Sequence, residues 1–310
     1  MRKHSVCFLG MLFLLPAHAD QLLLDNALRA TYTACVGIDD DLADLKKMAG
    51  INTAVTGVGT AAGAGATVVG VIKANKDKRI RELEEILETL RNQDENIPEP
   101  EISEAEHKAN VDTWGKFRKN AKETETEIQK LEAQSKKLGN WRTGLMAGST
   151  VTNVAGAIIA SENGANGEIQ DKIDECRKAV DALNLVIGQV RMDGVDVSEA
   201  TSIVATCREY DGVNISAIEK RAKGAMVSSI VGATTGVAGT VTSAMANTDA
   251  TRNDNTDSGK QKEKNLNTAS NILAGATTAA SATATVFNAT QISAIKKVAT
   301  VAEKCTGVLK

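Results

Sequence analysis

Aromatic residues and proline are both scarce in this chain. Aromatics make up 3% of its 310 residues, and only three residues are proline. A thick globular core is normally built around large apolar side chains, so this composition argues against one. Proline interrupts helices, and its near absence permits long ones. With abundant alanine, glycine and threonine, the composition predicts long helices that pack through small side chains.

Residues for catalysis are missing as well. The chain has three histidines, and two of them, His4 and His18, lie in a segment resembling a signal peptide. The third, His107, lies on the polar face of a charged segment, where we expect it to be solvated. No Cys-x-x-Cys, His-Glu-x-x-His or Gly-x-Ser-x-Gly motif occurs. We therefore predict no enzyme, no cofactor, no metal site and no small-molecule substrate.

Neither sign of charge dominates the composition. The chain has 36 basic and 39 acidic residues, for a formal net charge of −3 at neutral pH. Nucleic acid attracts strongly basic surfaces, so we expect no nucleic-acid partner.

The first 19 residues have the pattern of a secretory signal peptide. Arg2 and Lys3 are followed by an apolar run, and Ala17-His18-Ala19 matches a small-x-small cleavage site. The run is too short to span a bilayer. We therefore expect an exported protein, periplasmic or extracellular, that is cleaved before Asp20.

Cleavage would also remove Cys7 and leave four cysteines: Cys35, Cys176, Cys207 and Cys305. An even number of cysteines in an exported chain favours disulfides. The pairs Cys35–Cys176 and Cys207–Cys305 would each close the base of an antiparallel helical hairpin. The main alternative joins Cys176 to Cys207 and Cys35 to Cys305.

Four stretches without any charged residue organise the chain, at 49–72, 143–161, 224–248 and 265–295. Three contain a Gly-xxx-Gly pair, which puts two glycines on one helix face and lets another helix approach closely. The predicted packing glycines are Gly59, Gly63, Gly144, Gly148, Gly232, Gly236 and Gly275. In composition, these stretches resemble the glycine-zipper segments of some bacterial envelope proteins.

A charged segment at about 75–137 separates the first two of these stretches. Its apolar residues follow a heptad pattern on both sides of a proline-containing tip at 97–101, which predicts an antiparallel coiled-coil arm. The predicted seam residues are Ile80, Leu83, Leu87, Leu90, Trp114, Phe117, Ile128 and Leu131.

Together these patterns predict an all-α, elongated bundle built from two related hairpins. The first hairpin, 20–192, carries the coiled-coil arm, and the second, 193–310, has a short polar tip at about 249–262. The similar spacing of cysteines and glycines in the two halves indicates an internal repeat.

Two functions fit this organisation. The first is an exported, non-enzymatic scaffold or interaction protein that contacts a protein partner, or a second copy of itself, through the arm. The alternative is a membrane-active or pore-forming protein whose charge-free helices enter a bilayer. The scarcity of leucine, isoleucine and phenylalanine in these stretches, and the presence of Asn153, Asn247, Asn267, Asn271 and Asn288, favour the soluble scaffold.

Overall fold

The structure is a computed structural model. It describes residues 7–95, 104–162, 164, 167–252 and 256–310, with side chains for 19–92, 115–162, 164, 167–248, 250–252 and 256–310. Over these ranges the protein is 94% helical and contains no β-strand. The predicted all-α bundle is therefore confirmed.

Eight α-helices follow one another in the described residues. They are α1 (Cys7–Cys35), α2 (Ile38–Glu95), α3 (Glu104–Glu162), α4 (Glu168–Val190), α5 (Ser198–Cys207), α6 (Ser216–Ala246), α7 (Asp249–Arg252) and α8 (Asp257–Leu309). Short 3-10 turns lie at Arg191–Asp193 and Arg208–Gly212. Each of the four charge-free stretches belongs mainly to one long helix, α2, α3, α6 or α8. No proline interrupts any of these helices within those stretches.

Spatial proximity divides the chain into two compact units. We call the first the disulfide unit; it combines Met1–Gly57, Val154–Ile230 and Ala282–Lys310. The second, the arm unit, combines Val58–Asn153 and Val231–Ser281. Each unit contains segments of both predicted hairpins. The hairpin boundaries and the internal repeat stay predictions.

The disulfide unit has a core of large apolar side chains. Leu42, Ile173, Leu183, Ile218 and Ile295 are almost completely buried in it. The amphipathic helix α4 contributes one whole face, and α1 packs along it, where the Thr31 hydroxyl is 3.2 Å from the Ala179 carbonyl oxygen. Burial of such side chains stabilises this unit in the way usual for globular proteins.

Both predicted disulfides are present. Cys35 is bonded to Cys176, and Cys207 to Cys305, and all four residues are buried in the core of the disulfide unit. The two bridges are neighbours, because the sulfurs of Cys35, Cys176 and Cys305 lie within 4.8 Å of one another. The alternative pairing is excluded in this structure.

The arm unit contains two small apolar clusters. Ile80, Leu83, Leu87 and Ile128 form one, with Ala121 and Leu131 packed against it. The other consists of Ala66, Met146 and Ala274, with Leu145 and Leu273 at its edge. The remaining interior of this unit is lined by small and polar residues.

Several predicted features lie outside the described residues. The proline-containing tip at 97–101 and part of the second tip, at 253–255, are among them, as are the first six residues of the predicted signal peptide. The side chains of His107 and Trp114 also lie outside. Cleavage after Ala19 and the coiled-coil character of the arm remain predictions.

Candidate functional site

The charge-free stretch of α2 exposes only apolar side chains. Between residues 49 and 72 its exposed residues are Ile51, Ala54, Val58, Ala61, Ala64, Val68, Val71 and Ile72. Val58 is 61% exposed. The buried residues on the opposite face are mostly glycine or polar, among them Asn52 and Thr56. This distribution is the reverse of that found on a surface helix of a soluble protein, where the apolar face is buried.

The outer faces of α3 and α6 resemble that of α2, whereas α8 exposes more polar residues. α3 exposes Gly144, Gly148, Val151, Val154 and Ile158. α6 exposes Val227, Ile230, Val231, Thr234, Val237, Ala238, Val241, Ala244 and Met245. Between 265 and 295, α8 exposes Asn265, Thr268, Ile272, Ala276, Ala279, Thr283, Val286, Ala289, Thr290 and Ser293. All four outer faces therefore lack charge; those of α2, α3 and α6 have few polar groups, while half of the exposed residues in the α8 stretch are polar.

Polar side chains instead bond to one another inside the arm unit. Asn153 donates to the Ser281 hydroxyl at 2.8 Å, and Ser149 donates to the Gly59 carbonyl at 2.8 Å. The hydroxyls of Thr235 and Thr277 lie 2.9 Å apart. Such bonds hold helices together where a hydrophobic driving force between them is weak.

The disulfide unit has a polar interior at the ends of the charge-free stretches that belong to it. Asn52 donates to the side-chain oxygen of Asn288 at 3.1 Å, and the hydroxyls of Thr285 and Thr56 are 3.1 Å apart. Asn52, Thr56 and Asn288 are at most 2% exposed. Their polar groups are therefore shielded by neighbouring helices.

Outward-facing threonines bond to their own helix. The hydroxyls of Thr268 and Thr290 donate to the carbonyls of Lys264 and Phe287. A threonine bonded in this way exposes its methyl group, while its hydroxyl is satisfied. These two outward-facing threonines of α8 thus add little polarity.

The predicted packing glycines divide into two groups. A Cβ at Gly59, Gly63, Gly232 or Gly236 would lie less than 3.0 Å from a side chain of another helix in the arm unit, so these four permit close helix contacts. A Cβ at Gly144, Gly148 or Gly275 would meet nothing within 4 Å. The structure therefore places these last three away from helix contacts. Gly156 and Gly239, which spacing did not single out, lie at close contacts instead.

A cluster of buried charges borders the charge-free stretches of the arm unit. Lys73, 2% exposed, binds Asp77 at 2.6 Å and lies 3.6 Å from Glu263. Ser135 donates a short hydrogen bond to Asp77. Burial raises the pKa of Glu263 against the opposing effect of Lys73. Opposite charges thus compensate one another in this cluster.

Arg142 lies at the same border and is 1% exposed. Its guanidinium donates to the Asn267 carbonyl at 3.4 Å, while its Nε has no hydrogen-bond partner. Burial lowers its pKa to about 10, which leaves it charged at neutral pH. Directly before it, Trp141 is 62% exposed. A buried cation and an outward tryptophan therefore mark this end of the α3 stretch.

The predicted seam residues lie partly together. Ile80, Leu83, Leu87 and Ile128 share one buried cluster, and Leu131 packs against it. Leu90 and Phe117 are half-buried. The ion pairs Arg79–Glu127 and Arg91–Glu125 join α2 to α3 beside this cluster. The contacts agree with two arms that pack side by side.

The disulfide unit has a cleft of about 240 Å³ that is rich in carboxylates. Its acidic lining residues are Asp41, Asp44, Glu162, Glu168 and Glu219. Lys172 lies among them and binds Asp41 at 2.7 Å. That hydrogen bond is the main cause of the raised pKa of Lys172. Part of the cleft's negative charge is thus already neutralised.

Three helical segments of the described chain are long and apolar enough to cross a membrane. They lie within Ala19–Asn92, Gly115–Glu162 and Ser198–Ala246, and no described segment of α8 is among them. This criterion considers length and composition alone. Comparison of the chain with protein-family models, with curated proteins and with solved structures finds no match.

Proposed function

We propose that this is an exported membrane protein whose charge-free stretches in α2, α3, α6 and α8 lie in a lipid bilayer. One observation carries the proposal: the stretches of α2, α3 and α6 expose mainly valine, isoleucine, alanine and glycine, and all four stretches bury mainly small and polar residues such as asparagine, serine, threonine and glycine. In a bilayer, apolar side chains face lipid, while small and polar residues form the contacts between helices.

The asparagines in these stretches argue for the soluble scaffold only if they face outward. Asn153 and Asn288 are fully buried, and both are hydrogen-bonded. Their bonding within the protein removes most of the cost of placing an amide at membrane depth. The interior positions of these amides thus support the membrane proposal over the scaffold that composition favours.

Exposed valines and isoleucines support the same proposal. Val58, Val68, Val151, Ile272 and Val286 are 59–68% exposed. Soluble monomeric proteins rarely expose contiguous apolar surface of more than a few hundred Å². A bilayer would cover the apolar faces of α2, α3 and α6 at once, with α8 packed beside them.

Length and the border residues are also consistent with insertion. The stretch at 49–72 has 24 residues, about 36 Å of helix, against a hydrocarbon thickness of about 30 Å. Trp141 lies outward at the border of the α3 stretch, and tryptophan favours the membrane–water interface. The two buried disulfides support export to an oxidising compartment.

Flotation of the purified protein with lipid vesicles tests the proposal. We expect the protein to float with the vesicles and to remain bound after washes with high salt and with carbonate, because its contact with lipid is apolar. Release by either wash, or flotation no higher than that of a soluble control protein, would overturn the proposal. Self-association without vesicles would instead assign the apolar faces to a second copy of the chain.

Tryptophan fluorescence locates the border within the bilayer. The Trp114→Phe variant retains Trp141 alone, and Trp141→Phe retains Trp114 alone. We expect lipids brominated near the headgroup to quench Trp141 strongly and Trp114 weakly, because the two lie about 40 Å apart along α3. Equal quenching in the two variants would contradict this placement.

The second candidate function is an interaction scaffold without catalytic activity. It is supported by the charged segments of α2 and α3, which pack through Ile80, Leu83 and Ile128 and expose charges of both signs. In this proposal the arm contacts a partner protein. Deletion of 79–132 should then abolish co-purification of the partner from an envelope fraction, and unchanged co-purification would refute the arm as the contact.

A further inference from the structure

Lysines border the charge-free stretches on three helices of the disulfide unit. They are Lys46 and Lys47 on α2, Lys220 and Lys223 on α6, and Lys296 and Lys297 on α8. All six are exposed. On each helix they come before any acidic residue when the chain is followed outward from the charge-free stretch. Asp44, Glu219 and Glu303 lie further out.

Hydrogen bonds that join α2 and α6 to α8 within the disulfide unit place these lysines at similar heights along the three helices. Asn52 of α2 bonds to Asn288 of α8, and the Arg221 guanidinium of α6 donates to the Thr290 carbonyl of α8 at 2.7 Å. Each lysine is within nine residues of one of these contact points, or about 14 Å along its helix. The lysines therefore form one basic border rather than three unrelated pairs.

None of the six lysines forms an ion pair with another described residue. The ion pairs of the described part of the disulfide unit involve other cations: Lys172, Arg177, Arg208 and Lys304. A lysine has a long apolar stem, so its ammonium can reach the phosphate level while the stem covers apolar surface. The border thus offers unneutralised positive charge next to apolar helix faces.

The acidic cleft of the same unit does not remove this charge. It is lined by residues of α2, α3, α4 and α6 and of the segments that join them, and no residue of α8 contributes. The nearest acid to Lys296 and Lys297 on their own helix, Glu303, comes seven positions after Lys296 and six after Lys297. α8 therefore carries the part of the border that is least affected by carboxylates.

We propose that this basic border binds the phosphates of anionic phospholipids at the bilayer surface. The inference rests on the proposed membrane function and adds a preference for lipid charge. Each lysine near the surface of an anionic bilayer increases the partitioning of the protein into that bilayer by roughly fivefold. This effect weakens as salt screens the charges. The partner is thus a lipid headgroup layer with net negative charge.

Partitioning into two kinds of vesicle tests this inference. One kind contains phosphatidylcholine alone, and the other contains phosphatidylcholine mixed with phosphatidylglycerol. We expect the protein to partition at least about tenfold more strongly into the phosphatidylglycerol vesicles at low salt, because several lysines contribute. In Lys296→Glu/Lys297→Glu this preference should disappear or reverse, since the loss of two attractive charges alone lowers it roughly 25-fold and the two new charges are repulsive.

Lys122→Glu/Lys130→Glu is the matched control, because both residues are exposed on α3 outside the border and the net-charge change is the same. We expect it to keep the preference of the unmodified protein. Circular dichroism melts of each variant confirm that folding is intact, and Lys46→Gln/Lys47→Gln replaces the α8 variant if that one unfolds.

The outcomes separate the two proposals. Equal partitioning into both kinds of vesicle overturns the lipid preference and leaves the membrane function standing. A control variant that loses the preference as fully as the α8 variant overturns the assignment to this border. No partitioning into either kind of vesicle overturns the proposed function itself.

Discussion

Asn153 of α3 and Ser281 of α8 bond to each other in both directions. The Asn153 amide nitrogen donates to the Ser281 hydroxyl at 2.8 Å, and that hydroxyl is 3.0 Å from the amide oxygen. Both residues are fully buried. In most helical bundles a pair of leucines would occupy such positions. Here a polar pair joins two helices whose outer faces are apolar.

Asn153→Ala should therefore destabilise the protein although it replaces a polar residue by an apolar one. We expect a loss of about 1–3 kcal/mol, because Ser281 loses a partner and a small cavity remains. Denaturant unfolding in mild detergent measures it. Val151→Ala, on the exposed face of the same helix, is the control and should change stability by less than about 0.5 kcal/mol. Equal effects of the two substitutions would contradict the polar interior.

Two glycines that each stand second in a Gly-xxx-Gly pair should respond oppositely to alanine. At Gly63 the new Cβ would lie 2.7 Å from Thr278 Oγ1 and 3.3 Å from its Cα, so Gly63→Ala should cost about 1–3 kcal/mol through overpacking. At Gly148 the space is open, and Gly148→Ala should stabilise α3 by up to about 1 kcal/mol. Thermal melts of both variants test this, and a destabilised Gly148→Ala would show that the exposed face has a partner.

These glycines show what the sequence can and cannot predict. Gly59 and Gly63, like Gly144 and Gly148, are four residues apart in uncharged helices, so spacing predicts the same role for both pairs. Only the first pair lies at a helix contact. Amphipathic pattern normally identifies the inner face, but these stretches have no charged face to mark the outside. Which face of each stretch turns inward depends on which side chains pack against the neighbouring helices, and composition does not contain that information.

The helical class and the disulfides were predictable for physical reasons. Long runs without proline leave helices uninterrupted, and Cys207 and Cys305 are almost equally far from the polar turn between them. An antiparallel hairpin brings such residues level, and the structure pairs them. The polar interior was not predictable, because Asn153 and Asn288 carry no signal of whether they face a helix or the surroundings.

The stability of the arm unit should depend on the protonation of Glu263. Burial raises the pKa of its carboxyl above the ordinary 4.5. A raised pKa means that the folded state holds the proton more tightly, so the stability contribution is complete below the ordinary pKa and is lost as pH rises through the raised value. Glu263→Gln stays neutral at every pH.

The melting temperature of Glu263→Gln relative to the unmodified protein should therefore rise as pH increases from acid to neutral. Lys73 keeps Asp77 as its partner at 2.6 Å, so the substitution does not leave it unpaired. Melting curves across the acid-to-neutral range measure the difference. Parallel curves for the two proteins would show that Glu263 titrates normally.

The closeness of the two disulfides predicts thiol exchange between them. In Cys207→Ser the thiolate of Cys305 lies within 4.8 Å of both sulfurs of the Cys35–Cys176 bridge. Its attack forms one new disulfide and releases Cys35 or Cys176 as a thiolate, so no external oxidant is needed. Non-reducing peptide mapping should recover Cys305 linked to Cys35 or to Cys176.

Cys207→Ser/Cys305→Ser supplies the comparison, since it should contain the Cys35–Cys176 bridge alone. If the single variant also yields only Cys35–Cys176, with Cys305 fully alkylated after unfolding, the sulfurs are too constrained to exchange. Rapid alkylation at low pH is essential in both cases, because it prevents exchange during the digestion.

The four cysteines after Cys7 are paired in the order in which they occur along the chain, Cys35 with Cys176 and Cys207 with Cys305. When the chain is exported with its N-terminus first, Cys176 reaches the oxidising compartment before Cys207, and it can pair there with Cys35. Cys305 arrives only after this first bridge is able to close. The order of emergence and the order of pairing therefore coincide. An oxidase that joins cysteines as they arrive would produce the native bridges without the help of an isomerase.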